Sequence, residues 1–306
     1  MPAMSLLSAR PFRNLAGRSL GLCVLFALLL WGGDRLGAAL LGRVLDRSHD
    51  TLAEMYAGTA KGDIVVLGNS RAYRHFDFAA PSGRRLVNLA QPGASTLMSA
   101  ALLEDYVERY GAPRAVVLEL SGLVADQDAA LVARMFAPRS PRLAALLRAW
   151  HPRYYWGGRV SHLFAYNNAF ALNVAHKILV PMPPLLLDGR MTDAQMATLR
   201  EAAGPAYFRS RPENLRALEA IVALARREGI ALRTVIAPVA PGYAAVSGYP
   251  AWRDELAAHL RDAAFADFGT GLVAAPALFV DDLHMNRDGV ATFMAALAAK
   301  GYLAAE

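Results

Sequence analysis

Short apolar runs recur along this chain, each joined to a stretch of helical periodicity, and this alternation restricts the fold more than any other feature. Asp63-Ile64-Val65-Val66-Leu67 is the first such run, closed by Gly68-Asn69-Ser70. Leu86-Val87-Asn88-Leu89 is the second and ends in Gln91-Pro92-Gly93. Residues 96–110 have helical spacing, and 115–120 form a third apolar run. A helix over 212–228 leads into a strand over 230–236. A helix over 251–265, a short strand over 270–274 and a helix over 286–300 complete the pattern. The runs are apolar at successive positions, which marks strands buried on both faces. Such strands separated by helices predict an α/β fold with a parallel sheet covered on both sides.

Two regions break the rhythm. Residues 124–211 hold a helical stretch at 142–150, the cluster Tyr154-Tyr155-Trp156 and the apolar run from Ile178 to Leu187. An insertion of that length in a compact domain is a lid or a partner surface more often than a linker. It is expected to overhang the carboxyl edge of the sheet. At the other end, residues 1–33 contain Arg10, Arg13 and Arg18 and no acidic residue, and Leu20 to Trp31 is uninterruptedly apolar. Acidic residues begin at Asp34. Basic residues before the run and acidic ones after it predict a cytoplasmic N-terminus and an exported C-terminal part. A cleaved signal peptide is the rival reading, but Asp34-Arg35 falls where a small-residue cleavage site is expected. The chain thus divides into a tail and transmembrane anchor over 1–36, a connecting amphipathic helix over 37–60, and a domain over 61–306 carrying the insertion. The expected location is the plasma membrane, single-pass, with the domain periplasmic or extracellular.

Composition narrows the function. Of 306 residues, 55% are hydrophobic and 19% charged, and the net charge is +6, against about 25% charged in an average soluble protein. The basic excess is scattered arginine without a compact run or a nucleic-acid motif, so no nucleic-acid partner is expected. The single cysteine, Cys23, lies in the apolar N-terminal run. The domain therefore has neither a thiol nucleophile nor a cysteine metal site. No phosphate-binding glycine loop and no His/Asp metal spacing occur, and no cofactor is expected.

Ligands of an open parallel sheet bind beyond the carboxyl ends of its strands. The first strand ends in Gly68-Asn69-Ser70-Arg71. Glycine permits a tight strand-to-helix turn, and a serine there exposes its hydroxyl where backbone N–H groups favour an oxyanion. Taken alone, such a serine is more often an N-cap. Near the other end of the chain, Asp281-Asp282-Leu283-His284 precedes the last helix. An aspartate three residues before a histidine can hold the imidazole at Nδ1 and leave Nε2 to take a serine proton. Asp282 is the alternative partner, and spacing favours Asp281. The two motifs together are more specific than either one.

On these residues the sequence resembles the SGNH hydrolase superfamily. Gly68-Asn69-Ser70 is similar to its first block, with asparagine where many members have aspartate. Asn88 to Ser95 is similar to the second and Asp281-x-x-His284 to the last. The third block normally supplies an asparagine, but here Glu119-Leu120-Ser121-Gly122-Leu123 has none. The resemblance covers 61–123 and 230–300. It implies a flavodoxin-like three-layer fold and a catalytic triad of Ser70, His284 and Asp281. It also implies an oxyanion hole from the N–H groups of Ser70 and Gly93, with Ser121 as a side-chain donor. The forms around Ser70-Arg71 and His284-Met285-Asn286 look most like the anchored bacterial branch that includes alginate O-acetyltransferase subunits and the teichoic-acid D-alanylation protein. That branch implies a multispanning membrane acyltransferase as partner and a polysaccharide or acyl-ester substrate. Acyl transfer to an exported polysaccharide is the first expectation. An esterase or deacetylase with the same triad is the second, and a non-catalytic scaffold of a surface-polymer complex the third.

Arg71, His75, Tyr155 and Trp156 are candidate substrate-binding residues. Arg71 and Arg74 could hold an anionic substrate or be solvated. His75 follows Ser70 by one to two helical turns and could line the same mouth, although a solvated histidine is the commoner outcome. Tyr155 and Trp156 could stack on sugar rings, and aromatics beside basic residues suit a membrane interface or the core of the insertion equally.

Overall fold

The computed structural model describes residues 10–47, 50–76, 84–126, 134–166, 187–202, 207–260, 264–273 and 275–304. Most of the apolar run from Ile178 to Leu187 lies outside them. Five parallel strands, β1 (Ile64–Leu67), β2 (Leu86–Asn88), β3 (Ala115–Glu119), β4 (Ala231–Ile236) and β5 (Ala264–Asp267), form one sheet in the order β2-β1-β3-β4-β5. All pairings are parallel, with Val65 opposite both Val87 and Val116. The α/β expectation of a parallel sheet holds.

Side chains alternate across the sheet and split the core in two. Val65, Leu67, Val116 and Leu118 face one apolar cluster, and Ile64, Val66, Ala115 and Val117 face the other. The first is covered by α2 (Thr51–Ala57), α4 (Thr96–Tyr110) and α8 (Pro212–Glu228) through Met55, Leu102 and Ile221. The second is covered by α3 (Ser70–His75) and α11 (Arg287–Ala299) through Ala72 and Phe293. Helix boundaries follow local chemistry. Ser95 caps α4 by accepting from Met98 N–H, and Gly229 ends α8 at φ +68°. The boundaries expected for α4 and α8 agree with these ends.

The region after β4 differs from expectation. After the short α9 (Tyr243–Val246), the helix α10 runs Tyr249–His259, so Phe265 belongs to β5, and the strand expected over 270–274 is irregular where described. The reason is local. Asp267 accepts from Gly269 N–H at 2.7 Å and from the Tyr249 hydroxyl, and Gly271 turns the chain at φ +90°. Apolar content alone did not reveal that turn.

The N-terminal helix α1 (Arg10–Asp46) continues without a break from the expected anchor into the first part of the expected connecting segment, which is split between two helices. Asp50 then starts α2 by accepting from Leu52 and Ala53 N–H groups. The stretch Gly17–Asp46 is long and apolar enough to cross a membrane. Leu28, Leu29, Leu30 and Trp31 stand exposed along it. Its far end joins the domain by burying Leu45 in the apolar cluster that also holds Leu52, Tyr56 and Phe136.

The insertion does not overhang the carboxyl edge as a whole. The helix α5 (Pro141–Trp150) lies along α4, where Arg142 binds Glu104, Asp105 and Glu108 at 2.6–2.8 Å. That is the half of α4 whose Tyr106 hydroxyl reaches Gly62, ahead of β1 at the amino edge. Residues 161–165, which follow α6 (Pro152–Val160), pack on α1, with Asp34 accepting from Ser161 and Leu163, and α6 lines a cavity with the end of α1. Residues 187–191, ahead of α7 (Asp193–Ala202), and 207–211 return to the other end. There Met191 N–H reaches Phe279 O at 2.8 Å and Arg211 N–H reaches Leu123 O at 3.0 Å.

Candidate active site

Gly68 takes φ +142° between β1 and α3, and a Cβ built on it would lie 2.8 Å from Ala72 Cβ and 3.0 Å from Glu119 Cβ. Only glycine fits this turn, and the turn lifts Ser70 onto the first position of α3. The first N–H groups of a helix have no acceptor in their own helix. Asn69, the N-cap, accepts from Arg71 N–H at 3.0 Å. After β2 the chain stays close: Gln91 N–H donates to Gly68 O at 3.2 Å, and Gly93 follows at φ +73° in an exposed turn. Ser70 and Gly93 therefore present backbone on neighbouring loops beyond the same strand ends.

The loop before α11 supplies the rest. His284 Nε2 lies 2.8 Å from Ser70 Oγ. His284 Nδ1 lies 2.9 Å from Asp281 Oδ2 and 3.0 Å from Oδ1. With a carboxylate at Nδ1, the imidazole proton belongs there and the Nε2 lone pair faces the serine hydroxyl. Asp281 also accepts the N–H groups of Leu283 and His284 at 2.9 and 2.7 Å, which fixes the tight loop. Burial pushes the Asp281 carboxyl up, but the hydrogen bond and charge of His284 with those two N–H groups outweigh it and hold the pKa below its usual value. Asp282 goes the other way: burial first, then the Asp281 carboxylate, push it up. The contacts of His284 place Asp281 rather than Asp282 beside the imidazole.

Five candidates turn out otherwise. Arg71 is not available to substrate: its side chain is 1% exposed. It donates to Ala237 O and to Pro238 O at 2.8 Å, and its NH1 lies 3.5 Å from Glu119 Oε1. The guanidinium thus ties the ends of β3 and β4 together beneath Ser70. Ser121 is not a free oxyanion donor. Its one hydroxyl proton has two acceptors, Glu119 Oε2 at 2.5 Å and Asn69 Oδ1 at 3.0 Å. His75 is neither solvated nor in the mouth. It is fully buried, and its Nε2 accepts Met285 N–H at 3.0 Å, gripping the chain one residue past His284. Tyr155 and Trp156 sit on α6 beside α1, with Tyr155 stacked under Arg159, and neither contacts the Ser70–His284–Asp281 group.

Burial, reinforced by the Arg71 charge, holds His75 well below the usual imidazole pKa. The unfolded chain therefore takes up a proton near pH 6.5 that the folded chain refuses, and stability falls as pH drops below that value. Replacing His75 with Gln is expected to flatten the acid limb of stability against pH by about 1.4 kcal/mol per pH unit, one proton's worth. Urea unfolding of both proteins between about pH 5 and 7 measures this; parallel slopes would contradict it.

Sequence reasoning missed Glu119, Asn286 and Tyr207. Glu119 is buried at the end of β3 and accepts from Ser121 N–H at 3.1 Å and Ala237 N–H at 3.4 Å. A charged residue closing an otherwise apolar strand was the available signal. Asn286 caps α11 and donates to Gly189 O and Ala277 O at 2.9 and 2.7 Å, bracing the loop behind His284. Tyr207 is 41% exposed, and its pKa is raised by burial, with the charges of Asp282, Glu119 and Asp281 adding to that rise. Among the described residues no cluster of His, Cys, Asp or Glu could hold a metal ion.

No family model matches the chain, and no curated protein matches it. Among solved structures it is similar to a candidate acylhydrolase from Bacteroides fragilis NCTC 9343, at 14% identity and a TM-score of 0.40, over 78% of this chain and 87% of that one. It is also similar to a candidate platelet activating factor protein from Streptococcus pneumoniae, at 14% identity and a TM-score of 0.39, over 93% of this chain and 99% of that one.

Proposed function

We propose that this chain is a membrane-anchored serine acyl-transfer enzyme, with Ser70 as nucleophile, His284 as general base and then acid, and Asp281 orienting the imidazole. The observation that carries the reading is the 2.8 Å contact between Ser70 Oγ and His284 Nε2, backed by Asp281 on the opposite nitrogen. The two halves of this contact lie 214 residues apart in the chain. A nucleophile, a base and an orienting group within hydrogen-bond reach are what covalent acyl chemistry requires. Ser70 Oγ adds to the acyl carbonyl of the donor while its proton passes to His284 Nε2. The N–H groups of Ser70 and Gly93 stabilise the oxyanion. Collapse expels the donor's leaving group, which takes the proton from His284. The acceptor hydroxyl then gives its proton to His284 and attacks the acyl-Ser70 ester, which regenerates the serine.

The acceptor is an exported polysaccharide hydroxyl, and the acyl donor reaches the site from a multispanning membrane acyltransferase. The anchor and the resemblance to the anchored SGNH branch support this, with the domain on the periplasmic or extracellular side. Hydrolysis is the second reading, favoured by solvent access: the Asp281 and His284 side chains are 45% and 20% exposed. The test is mass spectrometry of the purified full-length chain after brief exposure to p-nitrophenyl acetate. An acetyl group on the Ser70 peptide, passed to an added oligosaccharide, is the expected result. Acetate released to water without acetylated sugar would select the hydrolase. No adduct at Ser70 would remove both.

A further inference from the structure

One basic cavity lies apart from the active site. It has a volume of about 670 Å³ and is formed between the end of α1 and residues 134–166. Its wall carries five arginines, Arg35, Arg43, Arg134, Arg139 and Arg159, against one carboxylate, Asp46. That carboxylate is already engaged by Arg139. Arg43 is exposed with no ion pair among the described residues. Arg159 lies over the Tyr155 ring at 4.9 Å, and Arg134 over Tyr154 at 4.8 Å, so both meet aromatic faces rather than carboxylates. The Nε of Arg134 is shut off from solvent without an acceptor, whereas Arg35 meets the His162 ring and its Nε lies 3.9 Å from Asp34. Burial also lowers the Arg134 pKa.

Clustered guanidinium groups with spare donors suit a phosphate, whose oxygens accept their forked N–H pairs. Position decides which phosphate. Arg35 follows Trp31, which is 61% exposed on α1, by four residues, or about 6 Å of helix rise. Tryptophan favours the membrane interface, and the headgroup layer is about 5–8 Å deep on each side. The cavity therefore begins at headgroup depth. Beside it, Trp156, Val160 and Phe164 expose apolar surface on the elements packed against α1, as a segment resting on acyl chains would. We propose that this cavity binds the phosphodiester headgroup of an anionic lipid in the leaflet where α1 leaves the bilayer, seating the domain against the membrane surface.

The test uses the full-length chain in neutral detergent, with phosphatidylglycerol and phosphatidylcholine titrated in and bound lipid counted by native mass spectrometry. Phosphatidylglycerol is expected to bind in preference. The R43Q/R159Q double variant, both sites exposed, is expected to weaken it about thirtyfold and R43Q alone about fivefold. R216Q, an exposed arginine on α8, should leave binding unchanged. Equal retention of the two lipids, or wild-type affinity in the double variant, would overturn the proposal. Displacement of phosphatidylglycerol by an equal concentration of inorganic phosphate would also overturn it, by assigning the cavity to a soluble anion.

Discussion

Ser70→Ala is expected to lower the rate of acyl-group release by about three to six orders of magnitude while leaving the fold intact. The hydroxyl is part-exposed and, among the described residues, hydrogen-bonds to His284 alone, so its removal leaves no buried group unpaired. Acetate release from an activated ester, with a urea melt on the same sample, separates loss of chemistry from loss of structure. Asp281→Asn should cost comparable activity or somewhat less. Its Oδ1 can still accept the Leu283 and His284 N–H groups, but a neutral amide neither stabilises the imidazolium nor fixes the Nδ1–H tautomer. If Ser70→Ala keeps wild-type turnover, the triad is not catalytic and a scaffold role takes its place.

The second large effect is on stability. Arg71→Met is expected to destabilise the domain by about 3–5 kcal/mol, because Glu119 would remain buried without its cation. Both side chains are essentially inaccessible, at 1% and 0% exposure. Arg71 also satisfies the Ala237 and Pro238 carbonyls that close β4. A loss of that size is a large fraction of the about 5–15 kcal/mol that holds a domain together. The double variant R71M/E119Q should recover part of it, since the uncompensated charge goes with its partner. Urea midpoints of the three proteins measure both effects. A loss below about 1 kcal/mol in Arg71→Met would mean that the pair contributes nothing beyond its packing.

Much of the fold was legible from local pattern. Ile64–Leu67 and Ala115–Glu119 are apolar at successive positions apart from the closing glutamate, because a parallel strand between two helical layers has no solvent face. The ends of α4 and α8 were readable because the capping chemistry of Ser95 and Gly229 is local. The pair Ser70 and His284 was legible because strand ends and the loop before the last helix are where such a sheet presents its ligands. What the sequence could not show was direction. Arg71 and His75 stand one and five residues beyond Ser70 on a six-residue helix, and both point into the domain rather than toward the mouth. A charged or titratable residue one turn from a nucleophile looks the same on paper whether it meets substrate or a buried glutamate. The insertion carries the same lesson. Its aromatics suited sugar or membrane equally, and the docking of Asp34 onto Ser161 and Leu163 set Tyr155 and Trp156 beside α1. Periodicity and caps are written within a few neighbouring residues, so the sequence determined the layers and the chemistry at their ends. Which polar side chains face the cleft, the core or the anchor depends on contacts between segments more than two hundred residues apart, and only the tertiary structure decided those.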